Sequence, residues 1–203
     1  MAIVGGSKVS TKLHVLESLA NKVDKLILGG GIANTFLAAC GANVGRSLYE
    51  KDFLESARKI MELTFVPLPS DVVTAKSFSK EAMAEEKVLS DIEDDDIVMD
   101  VGQETRSHFS DLIREMNTVI WNGPLGVFEF PQFAKGTESI ALAVAKSGGF
   151  SIAGGGETVT AIDHFSVRDK ISYISTGGGA FLEYVQGIKL PAVQILEEKV
   201  ISK

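Results

Sequence analysis

The sequence is poor in cysteine, with Cys40 alone in 203 residues, so no internal disulfide can form and a reducing compartment is the natural setting. No apolar run is long enough to span a bilayer, and the opening Met1-Ala-Ile-Val-Gly-Gly is not a basic-then-apolar leader. Basic residues are outnumbered, 20 against 27 acidic ones, for a net charge of −7. Without a basic face, a nucleic-acid partner is not expected. These absences point to a soluble, cytoplasmic protein that does not engage a membrane. Standard nucleotide fingerprints are also missing. Gly-x-x-x-x-Gly-Lys-Ser/Thr does not occur, and Gly-x-Gly-x-x-Gly fails at each glycine triplet, where Asn34, Val159 and Leu182 replace the third glycine. A dinucleotide dehydrogenase is therefore a weak reading. Val9 replaces the glycine that a nucleophile elbow at Ser7 would need. His14, His108 and His164 lack metal-ligand spacing, which leaves a zinc site unsupported. The acidic run at Asp91–Asp96 lacks the glycine and acid spacing of a calcium loop and reads as a solvated turn.

Glycine, by contrast, is plentiful and clustered: Gly5-Gly6, Gly29-Gly30-Gly31, Gly154-Gly155-Gly156 and Gly177-Gly178-Gly179. Each cluster ends a short apolar run and precedes a helix-like segment. Ala2–Val4, Lys25–Leu28, Phe65–Leu68, Ile97–Val101, Thr118–Trp121, Phe150–Ala153 and Tyr173–Ser175 read as strands, and Val72–Phe78 as part of a side hairpin. Helices are expected after Ser10 and Asp52 as caps, and over Ala33–Cys40, Gln103–Met116, Gly136–Lys146, Val159–Phe165 and Gly179–Val185. Short, unalternating strands between helices predict one three-layer α/β/α domain over residues 1–203, Rossmann-like, with a parallel sheet of about six strands. In such a sheet ligands bind outside the carboxyl ends of the strands, so the glycines share one rim. A strand starting at the second residue suits a domain cut from a longer chain.

Four features on that rim carry chemistry. Lys8 and Lys12 flank Ser10, and cations near a helix N-terminus oppose the dipole unless an anion compensates them, a pair of solvated lysines being the plain alternative. Glu157-Thr158 follows a triplet whose amides suit phosphate; a carboxylate there implies a bridging Mg²⁺, though a dipole-favoured Glu is the plain alternative. Thr176–Ala180 opens a helix with no acid in its first turn, able to stabilise a transferring phosphoryl group or simply to make a tight turn. Trp121–Glu129 offers apolar groups and backbone to a purine, with Glu129 near the ribose, or else core and turn.

The segments Val4–Lys12, Gly29–Phe36, Val119–Glu129, Gly154–Thr158 and Ser175–Ala180 resemble, in order and spacing, the C-terminal, nucleotide-binding half of phosphoglycerate kinase. That resemblance implies MgATP or MgADP binding, and reversible phosphoryl exchange between 1,3-bisphosphoglycerate and ADP, in a monomer. It places Lys8 at the transferring phosphoryl group, Lys12 and Asn122 at the nucleotide phosphates, and Gly30, Gly102 and Gly123 at the adenine slot. Glu129 falls at the ribose, Gly155, Gly156 and Thr158 in the phosphate turn, Glu157 at the metal, and Gly178 and Gly179 at the terminus that stabilises the transition state. The family's usual acid at that metal position is Asp. The extra methylene of Glu157 favours a carboxylate acting through water. The family's N-terminal domain, which holds 3-phosphoglycerate and supplies a catalytic arginine, is absent, so binding without turnover is expected. A stand-alone nucleotide-binding regulatory module is the alternative. Residues 187–203 resemble the segment that returns to that domain, leaving Leu190, Val193 and Leu196 without their partner.

Overall fold

The computed structural model describes residues 1–201; Ser202 and Lys203, the end of the expected tail, lie outside the described residues. Five strands form an all-parallel sheet: β1 (Ala2–Gly5), β2 (Leu26–Gly29), β6 (Thr118–Asn122), β7 (Phe150–Gly154) and β8 (Tyr173–Ser175), in the order β2-β1-β6-β7-β8. Both faces are covered, which is why these strands read as unbroken apolar runs. Ile3, Ile27, Val119, Trp121 and Ala153 point into one core, against α4 (Gln103–Arg114), α5 (Lys135–Lys146) and α6 (Gly156–His164). Ala2, Val4, Leu26 and Leu28 point into the other, against α1 (Leu13–Ala20), α2 (Gly30–Ala39) and α3 (Leu54–Leu63). The three-layer α/β/α expectation is met. Among the described residues no helix is long and apolar enough to cross a membrane.

The sixth expected strand lies elsewhere. Ile97–Val101 (β5) pairs antiparallel with β3 (Asp71–Ala75), which also pairs with β4 (Glu85–Val88), in a separate three-stranded sheet. An apolar run ending in glycine is equally compatible with either sheet. Phe65–Leu68 is not a strand: it makes a single bridge to Lys25, with the Leu26 amide donating to the Phe65 carbonyl. Two expected caps are also displaced. Ser10 does not cap α1, because its amide and hydroxyl both donate to Glu50. Asp52 sits inside a 3₁₀ turn over Lys51–Phe53 and makes no cap for α3. Helices α2 and α6 start inside their glycine triplets, three residues earlier than expected. A left-handed Gly30 (φ 64°) or Gly155 (φ 100°) turns the chain directly into the helix.

The acidic run is more than a solvated turn. Asp96 is fully buried and is approached at 3.0 Å by both Lys76 and Lys87, while Glu93 and Asp95 complete the network from outside. Hydrogen bonds that Lys76 donates to Asp95 and Glu93 hold its pKa above the ordinary value, and the bond that Lys87 donates to Asp96 does the same for Lys87. Two ammonium groups thus occupy the space in which this acid cluster could otherwise hold a cation.

The sheet's strand order parts between β1, which crosses over to β2, and β6, which crosses over through α5 to β7. Here the turns after the two strands meet backbone to backbone. A Cβ on Gly5 would lie 1.8 Å from the Pro124 carbonyl oxygen, and one on Gly123 2.3 Å from that of Gly5. Gly5→Ala should therefore cost about 3 kcal/mol, at the upper end of overpacking. Gly148→Ala, in open space, should change stability by less than about 0.5 kcal/mol; urea unfolding of both variants checks the contrast.

Candidate functional site

A cleft of about 440 Å³ opens where the strand order parts, the place where α/β sheets bind ligands. One wall is the glycine turn after β1 with Lys12. Gly30, Leu37 and Leu48 flank it, the segment Pro124–Val127 forms the opposite wall, and Glu129 and Glu157 stand at the rim. The side sheet closes the far end through Val72 and Met99. Of the residues singled out in the sequence, Lys12, Gly30, Glu129 and Glu157 line the cleft directly. Asn122, Gly123 and Thr158 are buried in its supporting wall, Gly155 is half-buried, Lys8 and Gly156 are exposed, and Gly178 and Gly179 are exposed after β8, outside the lining of the cleft. Gly102 is buried at the end of β5, where a Cβ would collide with the Asp71 carboxylate.

The supporting wall is one hydrogen-bond network. The Lys12 ammonium donates to the Gly5 carbonyl (2.6 Å) and to Asn122 Oδ1 (2.7 Å). Asn122 Nδ2 donates to the Gly154 carbonyl (2.6 Å). The Gly123 amide donates to Thr158 Oγ1 (2.7 Å), and Trp121 Nε1 donates to the Gly123 carbonyl (2.9 Å). Three parallel strand ends are thereby tied together. Burial pushes the Lys12 pKa below the ordinary 10.5, partly offset by the Glu157 carboxylate. Lys12 is thus a desolvated cation whose direct hydrogen-bond partners are neutral oxygens. An anion entering the cleft would complete it.

The glycines divide into two kinds. Those at 5, 29, 30, 31, 123 and 154 have no room for a side chain because neighbouring protein atoms lie too close. Gly156 and Gly179, at the starts of α6 and α7 (Gly179–Val185), face open space, with no left-handed φ to require glycine. Their bareness is unexplained by packing and leaves the first amides of α6 open to an approaching group.

Sequence reasoning missed two residues of the cleft. Phe78, 65% exposed, stands at the mouth with its ring 5.5 Å from Phe130. An aromatic left in water at a cleft mouth is a signal only once the fold brings residues 78 and 130 together. Asp100, 2% exposed, lies under the far end; its Oδ2 accepts from the Gly136 amide (2.7 Å), and Oδ1 has no hydrogen-bond partner among the described residues. Burial raises its pKa to about 7 despite bonds from the Gly136 and Val101 amides.

A Rossmann-like α/β domain with a desolvated lysine and open helix amides at its switch point belongs to the class of folds that receive anionic ligands on that rim. Residues 1–188 match the family model described as phosphoglycerate kinase, and the chain belongs to that kinase family. It is similar to the phosphoglycerate kinase of Coxiella burnetii, with 47% identity and a TM-score of 0.94 over 98% of this chain and 52% of that one. It is also similar to the enzyme of Pyrococcus horikoshii OT3, with 29% identity and a TM-score of 0.83 over 97% of this chain and 51% of that one. The chain thus spans about half the length of these solved relatives.

Two titrations follow from the site. An NMR titration of the Lys12 side chain should give a pKa below 10.5, and Glu157→Gln should lower it further by removing the charge that raises it. For Asp100, the unfolded chain releases its proton near 3.8 while the fold keeps it to about 7. Its contribution to stability therefore falls as pH rises through that window. Asp100→Asn should flatten the decline, as read by urea unfolding at pH 5 and pH 7.

Proposed function

We propose that this chain is the nucleotide half of a phosphoglycerate kinase and binds MgATP or MgADP in the cleft at the strand-order switch. The observation that carries the reading is Lys12, desolvated and hydrogen-bonded to neutral oxygens on a rim where the α6 amides are bare. The base enters the apolar slot between Gly30, Leu125 and Phe78, and Glu129 accepts from the ribose. Lys12 and the Gly155–Thr158 turn hold the phosphates, Asn122 orients Lys12, and Lys8, exposed on the same loop, follows the phosphoryl group. Following the family resemblance, Gly178 and Gly179 present the α7 terminus to that group, and Gly102 backs the adenine end.

The donor set fits a magnesium ion. Glu157 offers one exposed carboxylate beside open amides, and Mg²⁺ takes one or two carboxylates with phosphate oxygens as the rest of its shell. When bound, the ion would neutralise phosphate charge and fix the geometry of the oxygens.

In the whole enzyme the terminal phosphoryl group moves from the acyl phosphate of 1,3-bisphosphoglycerate to ADP, leaving the carboxylate of 3-phosphoglycerate. Catalysis of this kind is positioning and charge stabilisation. The substrate-holding half lies in the remaining length of the relatives, so this chain binds without turning over. The helix α8 (Pro191–Ile201) supports the same division. Val193 and Leu196 are exposed on it, without cover from the domain, as suits a segment meant to rest against that other half. Leu190 is the exception, lining a groove of this domain beside Tyr184. The whole enzyme is a cytoplasmic monomer in this reading.

Calorimetry with MgADP should show saturable binding to the chain, and Lys12→Met should weaken it about 10- to 100-fold, the worth of a hydrogen bond between charged groups. A coupled assay with 3-phosphoglycerate and ATP should show negligible turnover. Absence of saturable heat would refute the nucleotide site, and normal turnover would refute the division of labour.

A further inference from the structure

The loop from Gly6 to Lys12 carries both lysines of the site and has no regular structure of its own. Within the loop only two hydrogen bonds brace it, from the Lys12 amide to the Val9 carbonyl (2.9 Å) and from Thr11 Oγ1 to the Lys8 carbonyl (2.9 Å). A carboxylate 40 positions away grips its midpoint. Glu50 Oε2 accepts from the Ser10 amide (2.8 Å), and Oε1 accepts from the Ser10 hydroxyl (2.6 Å). Desolvation pushes the Glu50 pKa up, but these bonds, with the charge of Lys8, outweigh it and lower the pKa from its ordinary value.

Glu50 is itself fixed. Its amide donates to Thr35 Oγ1 (3.1 Å), and that hydroxyl donates to the Gly31 carbonyl (2.9 Å) in the first turn of α2. Thr35 is fully buried. A continuous chain of bonds therefore runs from the glycine wall of the cleft, through Thr35 and Glu50, to the residue midway between Lys8 and Lys12. Glu50 does not line the cleft, so it can act only through the loop. A carboxylate placed there as a mere surface acid would not need two oxygens engaged with one residue. Bidentate capture of an amide and its own side-chain hydroxyl fixes that residue's orientation as well as its place.

We propose that Glu50 is a positioning residue, setting the Gly6–Lys12 loop so that the Lys12 ammonium faces the cleft; the proposal rests on the nucleotide reading of that cleft. Ser10 is the grip through which it works. The Glu50 carboxylate is engaged by the Ser10 amide and hydroxyl and forms no ion pair with Lys12, which stays available to the ligand.

The test compares Glu50→Ala, Glu50→Gln and Ser10→Ala with the unaltered chain, reading MgADP affinity by calorimetry, the Lys12 side-chain pKa by NMR and stability by urea unfolding. At unchanged cooperative unfolding, Glu50→Ala should weaken MgADP binding about tenfold and move the Lys12 pKa back towards 10.5. Glu50→Gln, which keeps an acceptor oxygen, should fall between it and the unaltered chain. Ser10→Ala added to Glu50→Ala should have no further effect, since the two act as one unit. Unchanged affinity and unchanged Lys12 titration in Glu50→Ala would overturn the proposal. Should that variant not fold, the same two readouts in Ser10→Ala decide it. If the unaltered chain binds no MgADP, the nucleotide reading falls, and the Lys12 titration alone still decides for or against Glu50.

Discussion

The contact between the turns after β1 and β6 is the constraint on which the rest depends. Two parallel strands end side by side, and their outgoing chains leave towards opposite faces of the sheet. Bringing them together leaves no space for a Cβ at Gly5 or Gly123, so the sequence gives up side chains there. The freed volume is filled by backbone polar groups, which must find partners. Asn122 and Thr158 supply them, and Lys12 is drawn in as donor to Gly5. A packing necessity therefore produces an electrostatic outcome: an ammonium pulled partly out of water.

Two buried aspartates near the side sheet show how differently the same side chain can be accommodated. Asp96 is reached by Lys76 and Lys87, and hydrogen bonds outweigh desolvation, so its pKa is lowered. Asp100, four residues on, has no such cation against it and is raised to about 7. The interior tolerates a carboxyl either by pairing its charge or by removing it. One choice clamps the edge of the small sheet; the other places under the far end of the cleft an acid that keeps its proton up to about pH 7.

Much of the architecture was legible because it is local. Glycine clusters after apolar runs marked the strand ends, and Tyr173–Ser175 and Gly179–Val185 fall where the spacing put them. What could not be read is long-range. Ser10 looks like a helix cap, since nothing in its neighbourhood reveals Glu50 waiting 40 residues away. Ile97–Val101 has the composition of a buried strand, but composition does not say which sheet will bury it. The lysines and Glu157 were found through the chemistry of the glycine turns. Asp100 and Phe78 were not, because one acid in an apolar strand and one aromatic in a charged loop gain meaning only from what surrounds them.

Trp121 has a consequence of another kind. It is the sole tryptophan, only 1% exposed, and its indole N–H is bonded to the Gly123 carbonyl in the cleft's supporting wall. All the indole fluorescence of the chain therefore comes from one ring, shielded from solvent quenchers and attached to the turn that a ligand would press upon. A shift of that turn changes the dipole facing the ring, and with it the colour of the emitted light. The molecule carries a built-in optical gauge, and no dye has to be attached to read it.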